Sequence, residues 1–579
     1  MSPLASEVPF LHRTFSITPI AAMAQEFKLK GLTSIDLKNG QKQEAEVEGI
    51  EGGKVLLVKH DNQVHALNPN CTHYGAPLIK GVLTGDGRIT CPWHGACFKV
   101  STGDVEDAPA LDPLHKFDVV TKDGGVYVKG QEAHIKNGRR TLSLKCKAKG
   151  EEKVVIVGRG AGALGAMEAL RSGGFTGAIT TIATEDHQPI DRTKLSKALI
   201  TDLGKVAWRS TDFYKEADIE NVTNTVTSVD FSGKKVQTKS GKDHAYTKLI
   251  LASGGYASYL PIDGLKGDLG NVFLLRELKD AQAIMSAAGS EGGKKVVVIG
   301  SSFIGMEVGN CLAGMKHDVH IIGMESEPLE NVMGAKVGKV FRSILEKSGV
   351  KFHMNASVSS GQPSSSSKEN IGKVVLKDGT ELEADLVIEG VGVKPATQYL
   401  QSNDSIKLHE KDKSIFVDDK YAVQGVDDVF AIGDIATYPY HGPGGDGKAV
   451  RIEHWDVAQN MGRSVAHSIL HPNAKGKAFI PVFWSALGAQ LRYCGHASPA
   501  TGGYDDVIVQ GETDVSEGKQ SFVAYYTKGE EVVAVASMMK DPYMTQSAEL
   551  MRRGKMPKKS EIQKGVDITE VSVPAEVKI

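Results

Sequence analysis

The chain has 579 residues, 41% of them hydrophobic and 24% charged, a balance typical of a globular protein with enough core for several domains. The formal net charge of −2 gives no general reason to expect a nucleic acid or an anionic membrane as partner. Six scattered cysteines without a C-x-x-C pair favour a reducing compartment and argue against a redox-active disulfide. No apolar run approaches the roughly 20 residues that span a bilayer.

The N-terminal segment, 1–25, is predicted to be a disordered leader. It contains hydroxylated and apolar residues but only one arginine and one glutamate before Met23, which makes it a poor transit peptide. We therefore expect a cytoplasmic location, with mitochondrial import as the alternative.

Residues 26–131 are predicted to form an all-β domain. Short runs such as "KVLLVKH" and "GVYVKG" are rich in strand-forming residues and are separated by Gly, Asp and Asn. The basic, polar stretch 132–151 that follows is interpreted as a linker, and its Lys and Arg residues as a solvated face.

Two Gly- and Pro-containing loops of the β-domain carry a possible metal site. "CTHYGAP" supplies Cys71 and His73, and "CPWHGACF" supplies Cys91 and His94. Two thiolates and two imidazoles suit one zinc ion, or an iron–sulfur centre in which imidazoles replace two thiolates. Four unrelated buried side chains are a further alternative.

The residues around these four favour the iron–sulfur centre. Over their whole length, "CTHYGAPL" and "CPWHGACFKVSTGDVEDAPA" resemble the two cluster loops of a Rieske domain. The resemblance implies that Cys71 and Cys91 bind one iron of a [2Fe–2S] cluster, and that His73 and His94 bind the other. It also implies a low potential, because the positions where high-potential relatives carry a disulfide and hydroxyl donors are filled by other residues, namely Ala76, Trp93, Ala96 and Phe98.

From Lys153 the pattern changes to strand, glycine turn and helix. "VVIVGRGAGALG" places Gly158 and Gly160 where a tight turn brings the backbone close to a pyrophosphate, and Ala163 at the third, packing position. Glu185, after the second strand, is the candidate for holding a ribose hydroxyl. The alternative is a solvated acid.

Several later segments resemble those of FAD-dependent reductases. "PIDRTKLSK" (189–197), "DVFAIGDIA", "EHWDVAQNMGR" (453–463) and "FWSALGAQLRYCG" (483–495) match flavin-contacting segments of that class. The resemblance implies flavin contacts for these residues: Arg192, Lys197, Gly433, Asp434, His454, Trp455 and Trp484.

A second glycine turn, "VVVIGSSFIGMEVG", begins a unit that resembles the first. Gly300 and Gly305 keep their positions, Ser302 replaces the second glycine, and Glu325 is the candidate ribose acid. The absence of Arg or Lys just after the following strand favours NADH over NADPH. Gly392 lies in "EGVGVKPAT", which resembles the loop between the nicotinamide domain and FAD.

Glu307, two residues after Gly305, is the last candidate. Its counterpart in the reductases pairs with the lysine of the L-S-K segment, which is Lys197 here, beside the flavin. Such a pair would fix the local charge as hydride arrives. An ordinary glutamate on a helix surface is the alternative.

Together these segments resemble the ferredoxin-reductase and apoptosis-inducing-factor branch of FAD/NAD-linked reductases, and with the Rieske domain the whole chain is similar to apoptosis-inducing factor 3-like proteins. The resemblance implies an α/β reductase with nested Rossmann-like domains after the all-β domain. We expect an FAD-binding domain at 152–270 and 386–469, an NAD-binding domain at 271–385, a C-terminal reductase domain at 470–555 and a mobile tail at 556–579.

The implied function is electron transfer from NADH, or NADPH, through FAD to the [2Fe–2S] cluster. The final acceptor stays open between an oxygenase, a cytochrome and a quinone, and the protein is expected to be a monomer or a homodimer without a nucleic-acid partner. A redox-sensing signalling protein with little turnover is the alternative. A disulfide reductase is disfavoured because the cysteine pair is missing.

Overall fold

An antiparallel β-domain begins the computed structural model, which describes residues 24–498 and 502–579. The predicted leader lies outside these ranges except for its last two residues. Strand Lys54–His60 shows how the domain is layered: Val55 and Leu57 enter one core, whereas Leu56 and Val58 enter a second core beneath the two cysteine-containing loops. Successive side chains of a strand point to opposite faces, so this strand supports both the sheet and the loops.

The β-domain contains two antiparallel sheets. One has six strands, in the spatial order Gln25–Lys28, Gly125–Gly130, Lys116–Lys122, Gln63–Leu67, Lys54–His60 and Lys42–Glu46. The other has four strands, Val82–Leu83, Arg88–Thr90, Cys97–Lys99 and Val105–Asp107. The first part of the expected linker forms a short helix, Glu132–Asn137.

Two parallel five-stranded sheets follow, as the two glycine-turn patterns predict. The first contains Ile219–Thr223, Ala178–Ala183, Lys153–Val157, Lys248–Leu251 and Val429–Ala431, and the second contains Val272–Leu274, Leu386–Glu389, Lys295–Ile299, Asp318–Ile322 and Lys351–His353, each in spatial order. Smaller sheets flank both: Val226–Asp230, Lys235–Thr238 and Asp243–Ala245; Val358–Pro363, Ile371–Leu376 and Glu381–Glu383; Ile415–Phe416, Ala436–Tyr440 and Lys448–Val450; and the ribbon Gly255–Ala257 with Val393–Pro395.

Two of the helices begin where the predicted glycine turns end, and the helices together cover both sheets. They are Ala161–Ser172, Thr193–Ala198, Leu203–Val206, Thr211–Glu216, Leu278–Ala288, Phe303–Gly314, Glu330–Lys347 and Trp455–Leu470. Short 3-10 turns lie at Leu78–Lys80, Gln398–Leu400, Gly433–Ile435 and Ile568–Glu570.

The C-terminal part is a five-stranded antiparallel sheet with two helices. Its strands, in spatial order, are Val482–Ala486, Gln490–Gly495, Glu531–Met538, Ser521–Lys528 and Asp506–Glu512, and its helices are Tyr543–Arg552 and Lys559–Gln563.

The final segment, 556–579, does not form the mobile tail that we expected. Ile562 and Ile568 are fully buried, and the backbone N–H of Gly85 in the β-domain donates a hydrogen bond of 2.8 Å to the carbonyl of Val573. The lysine-rich composition suggested solvent, but the apolar residues between the lysines pack against the rest of the chain. In the described part of the chain, no helix is both long and apolar enough to cross a bilayer.

Candidate functional site

The two predicted cluster loops have the same backbone geometry. In the first loop, Cys71 N–H donates to Ala76 O at 2.8 Å; in the second, Cys91 N–H donates to Ala96 O at 2.8 Å. Gly75 and Gly95 adopt φ values of +80° and +77°, which L side chains rarely adopt. Each loop is therefore a tight turn that presents one thiol and one imidazole.

The four predicted ligands meet as two pairs. The Nδ1 atoms of His73 and His94 are 3.0 Å apart, and the thiols of Cys71 and Cys91 are in hydrogen-bond contact. Within the described ranges, no three His, Cys, Asp or Glu side chains converge on one metal-ion position. Two pairs fit a diiron centre with two protein ligands on each iron and do not match the single tetrahedron of structural zinc.

Burial sets the protonation of these ligands. It lowers the pKa of His73 to about 3, so the imidazole is neutral and able to bind a metal at physiological pH. It also raises the pKa of the Cys71 thiol, so that a bound metal is needed to hold this group as the thiolate. The third cysteine of these loops, Cys97, is fully buried and accepts hydrogen bonds from Arg88 and Thr90.

Aromatic rings from the reductase part cover the imidazole pair. Trp484 lies 4.3 Å from the ring of His94, between centroids, and 5.0 Å from that of His454. Trp208 lies 5.7 Å from His73 at an interplanar angle of 26°. Sequence reasoning missed Trp208, because nothing in the run "VAWRS" signals a partner more than 130 residues away. Trp484 thus joins the β-domain to the start of helix Trp455–Leu470.

The first glycine turn has the predicted form. Gly158 adopts a φ of +110°, and a Cβ atom there would lie 2.1 Å from the carbonyl oxygen of Ala252, whereas a Cβ on Gly160 would meet no atom within 4 Å. The open space at Gly160 leaves the backbone at the start of helix Ala161–Ser172 accessible to a pyrophosphate.

The close packing behind this turn involves further residues besides Ala163, for which the sequence predicts a packing position. Ala163 is buried in the core, but the tightest approach is between helices Ala161–Ser172 and Trp455–Leu470. A Cβ on Gly165 would lie 2.2 Å from Gln459 O, and one on Gly462 would lie 2.2 Å from Gly162 O. Glycines in both helices therefore let the backbones meet.

Glu185 lies two residues after Ala178–Ala183, a strand of the first parallel sheet, and accepts a hydrogen bond from Arg192. Burial would raise its pKa, but the hydrogen bond from His187 and the charge of Arg192 lower it to about 2. Glu185 is therefore an ionised, fixed acceptor suited to a ribose hydroxyl.

The other predicted flavin contacts lie around the N-terminus of helix Trp455–Leu470. His454 caps this helix by accepting from Asp456 N–H at 3.3 Å, and burial lowers its pKa to about 3. Trp455 is buried, with its indole N–H donating to Gln459 at 3.1 Å. A neutral cap at a helix N-terminus leaves the positive end of the dipole for an anion or a carbonyl-rich ring.

Gly433 and Asp434 form a short turn against this helix. Gly433 has a φ of +71°, and Asp434 accepts a hydrogen bond of 2.7 Å from Arg276. Sequence reasoning did not single out Arg276, which lies outside every recognised motif.

Lys197 and Glu307 form the predicted pair. The Lys197 Nζ atom is 3.0 Å from Glu307 Oε1, although the two residues belong to different glycine-turn units. Glu307 is 3% exposed and also accepts hydrogen bonds from Ser196 and, at 2.5 Å, from Ser485. The reading of Glu307 as a surface residue is therefore wrong.

The second glycine turn repeats the first. Gly300 has a φ of +111°, and a Cβ on Gly305 would lie 2.1 Å from Gly300 O. Glu325 is near this turn, where it accepts from Ser301 Oγ at 3.1 Å and from Asn331 at 2.7 Å. Gly392, with a φ of +99°, lies in the turn that leads back to the first sheet.

Comparisons with known proteins assign these parts to families. Residues 152–462 match the pyridine nucleotide-disulphide oxidoreductase model and residues 29–118 match the Rieske [2Fe-2S] domain model. The chain belongs to the pyridine nucleotide-disulphide oxidoreductase family. Human apoptosis-inducing factor 3 is 39% identical, with 91% of this chain and 84% of the human protein covered.

Other reductases are also similar to this chain. The ferredoxin–NAD(+) reductase component of the biphenyl dioxygenase system of Paraburkholderia xenovorans is 27% identical over 62% of this chain and 84% of its own. The covalent putidaredoxin reductase–putidaredoxin complex has a TM-score of 0.66 at 25% identity, with 73% of this chain and 98% of that chain covered.

As a Rieske-fused oxidoreductase of this family, the protein is an FAD-dependent NAD(P)H oxidoreductase with a [2Fe–2S] domain. Its residues fit these groups. Two neutral imidazoles and two thiols suit the Rieske centre, and both glycine turns have the close backbone approach that dinucleotides require. The expectation of an all-β Rieske domain followed by nested Rossmann-like domains is confirmed.

Proposed function

We propose that the protein oxidises NADH and delivers the electrons singly, through its own Rieske domain, to a one-electron acceptor. When bound, FAD takes up a hydride as an electron pair and releases single electrons, which the [2Fe–2S] cluster can accept. The contact of Trp484 with both His94 and His454 carries this proposal, because Trp484 and His454 are residues that we predict to contact the flavin.

The chain's own residues have distinct roles in this proposal. Gly158, Gly160 and Glu185 bind the dinucleotide part of FAD, while Asp434 and the helix that begins after His454 orient the flavin. Lys197, held by Glu307, places a positive charge beside the reacting ring. Glu307 is in turn fixed by Ser196 and Ser485, so the charge does not have to reorganise as hydride arrives.

NADH is the proposed donor. Glu325 would accept a hydrogen bond from the ribose hydroxyl of NADH and would repel the 2′-phosphate of NADPH. Its hydrogen bonds to Ser301 and Asn331 hold the carboxylate beside the Gly300 turn.

An acceptor screen tests the function. The full-length protein with FAD and cluster is compared with His73→Ala, which removes one proposed iron ligand, and with Cys97→Ser, which changes a buried thiol that is not a proposed ligand. We expect NADH to reduce the flavin in all three proteins, and one-electron acceptors to be reduced quickly by the wild type and by Cys97→Ser only. If His73→Ala reduces every acceptor as fast as the wild type does, the proposal is contradicted.

A further inference from the structure

The imidazole edge of the Rieske domain faces the reductase part of the same chain. His73 and His94 are only 7% and 9% exposed, and Trp484 covers the ring of His94 at 4.3 Å. Electrons can enter through this edge, but an acceptor has no room there while the two parts are in contact.

Buried charges hold the two parts in contact. Arg209 is bound to Asp112 of the Rieske domain at 2.8 Å and to Glu168 of the FAD-binding part at 3.0 Å. Asp107 of the Rieske domain is bound by Lys477 at 2.7 Å. Separating the parts would break both of these ion pairs between the parts and the buried contacts around them, although Arg209 would keep Glu168 and Asp107 would keep Arg88. The acceptor must therefore be reached from the docked arrangement.

Tyr74 lies on a possible path for electrons from the cluster to the surface of the docked protein. It is 38% exposed, whereas its neighbour His73 is buried. The two rings are stacked, with centroids 3.9 Å apart and planes 12° apart. The Tyr74 hydroxyl donates to the buried Asp191, which fixes the ring in place. Tyr74 therefore connects a proposed iron ligand to solvent through one ring contact.

Three cationic residues are connected to Tyr74 or to its neighbour His73: Lys194, Arg139 and Lys205. The Lys194 Nζ atom lies 5.6 Å from the Tyr74 ring and donates to the backbone carbonyl of Lys205 at 3.2 Å. Arg139, with a side chain 52% exposed, lies 3.5 Å from Asp112, whose backbone accepts from Thr72 beside His73.

Two of the acids that offset these cations are buried. Asp191 and Asp112 are 1% and 5% exposed, whereas Asp202, which caps the helix Leu203–Val206, is exposed. We call Tyr74, Arg139, Lys194 and Lys205 the exit surface. Its outward charge favours an acidic partner.

Building on the function proposed above, we propose that the exit surface is the docking site of an acidic one-electron carrier protein, which takes electrons over Tyr74 without separation of the Rieske domain. In this step one electron passes from the reduced cluster to the oxidised metal centre of the carrier. No bond forms or breaks, and neither partner gains or loses a proton.

Cytochrome c supplies a matched pair of probes, since the native protein is basic and its succinylated form is acidic with the same haem. Full-length protein with FAD and cluster, reduced anaerobically with NADH, is mixed with each form in a stopped-flow instrument. We expect the acidic form to be reduced at least five-fold faster at low ionic strength, and this advantage to disappear at high salt.

Charge reversal at the exit surface should invert the preference. We expect Arg139→Glu with Lys205→Glu to make native cytochrome c the faster acceptor. The control Lys266→Glu, at an exposed lysine that pairs with Asp263, should leave both rates unchanged. Tyr74→Ala should slow the reduction of both cytochrome c forms several-fold. Tyr74→Phe, which keeps the ring, should slow the reduction of both forms less.

The outcomes separate this inference from the proposed function. Cluster reduction by NADH is measured without cytochrome in every variant; if the wild type fails there, the proposed function is wrong. If the cluster is reduced normally but the two cytochrome forms react equally, or charge reversal changes nothing, this inference alone is wrong. This inference is also wrong if a water-soluble quinone is reduced faster than either cytochrome form, at a rate that salt and charge reversal do not change.

Discussion

At the scale of single residues, the pair of Lys197 and Glu307 is the most constrained part of the proposed flavin site. Glu307 accepts from two serines and from Lys197 while almost fully buried. A carboxylate with three partners has little freedom, so its charge and position are both set before any substrate arrives.

We expect Glu307→Gln to slow flavin reduction by NADH at least about ten-fold, because the amide removes the charge that holds Lys197. Ser485→Ala, which removes one hydrogen bond to the same carboxylate, should have a smaller effect. Anaerobic stopped-flow absorbance of the flavin measures both. Unchanged rates in Glu307→Gln, with FAD still bound, would show that the pair is only structural.

A separate prediction concerns Trp484. Since its ring bridges His94 and His454, Trp484→Ala should slow transfer from flavin to cluster while flavin reduction by NADH keeps its rate, and Trp484→Phe should lie between the two. The electron paramagnetic resonance signal of the reduced cluster, sampled by rapid freezing, reports the transfer. Equal signals at equal times in wild type and Trp484→Ala would exclude this role.

At the scale of elements, two crossover segments connect the parallel sheets. They pair as the ribbon of Gly255–Ala257 with Val393–Pro395. Glu389, at the end of strand Leu386–Glu389, accepts a hydrogen bond of 2.7 Å from Leu260 N–H in the other crossover. This buried carboxyl ties the two segments together, and burial raises its pKa to about 7.

A raised carboxyl pKa makes the stability of the folded protein depend on pH in a definite direction. The unfolded chain loses this proton near pH 4.5, whereas the folded protein keeps it to about pH 7, so the stability from this group falls as the pH rises between these values. As the pH rises from 4.5 to 8, we expect the free energy of unfolding of Glu389→Gln to increase relative to that of the wild type. The expected increase is about 1 kcal/mol after allowance for solvent screening.

Chemical denaturation at several pH values measures this gain. Glu383→Gln, at an exposed glutamate paired with Lys295, is the control and should show no such trend. If the free energies of unfolding of Glu389→Gln and the wild type differ by a constant amount from pH 5 to pH 8, the raised pKa of Glu389 is contradicted.

The sequence predicts elements better than contacts between them. The glycine turns at Gly158 and Gly300 are encoded by residues within one motif, so their positive φ values follow from the pattern. The contact of Trp208 with His73 and the hydrogen bond from Arg276 to Asp434 join distant segments, and no local pattern encodes them. The final segment was mistaken for a tail because buried residues were few among its lysines.

At the scale of the whole molecule, the Rieske domain is docked by buried ion pairs and by the C-terminal segment. Fusion keeps the cluster loops at a high effective concentration beside the reductase, and the buried charges set one orientation. The domain limits, the cytoplasmic location and the choice between monomer and homodimer remain predictions from the sequence.

Arg209 is the strongest test of docking. Arg209→Met leaves Asp112 and Glu168 buried without their shared partner, which should destabilise the docked state by roughly 3–5 kcal/mol. We expect faster cleavage between the domains in limited proteolysis and slower cluster reduction. Arg342→Met, which breaks a more exposed pair with Glu346, is the control. Equal proteolysis of both variants would argue against a role of Arg209 in docking.

The central claim is that electrons from a nicotinamide reach the two-histidine, two-cysteine centre inside one molecule. Anaerobic stopped-flow mixing of the full-length protein with NADH tests it most directly, with flavin and cluster followed at separate wavelengths. We predict rapid bleaching of the flavin, then cluster reduction at a rate independent of protein concentration. A cluster that stays oxidised beside reduced flavin, although dithionite reduces it, would contradict the account.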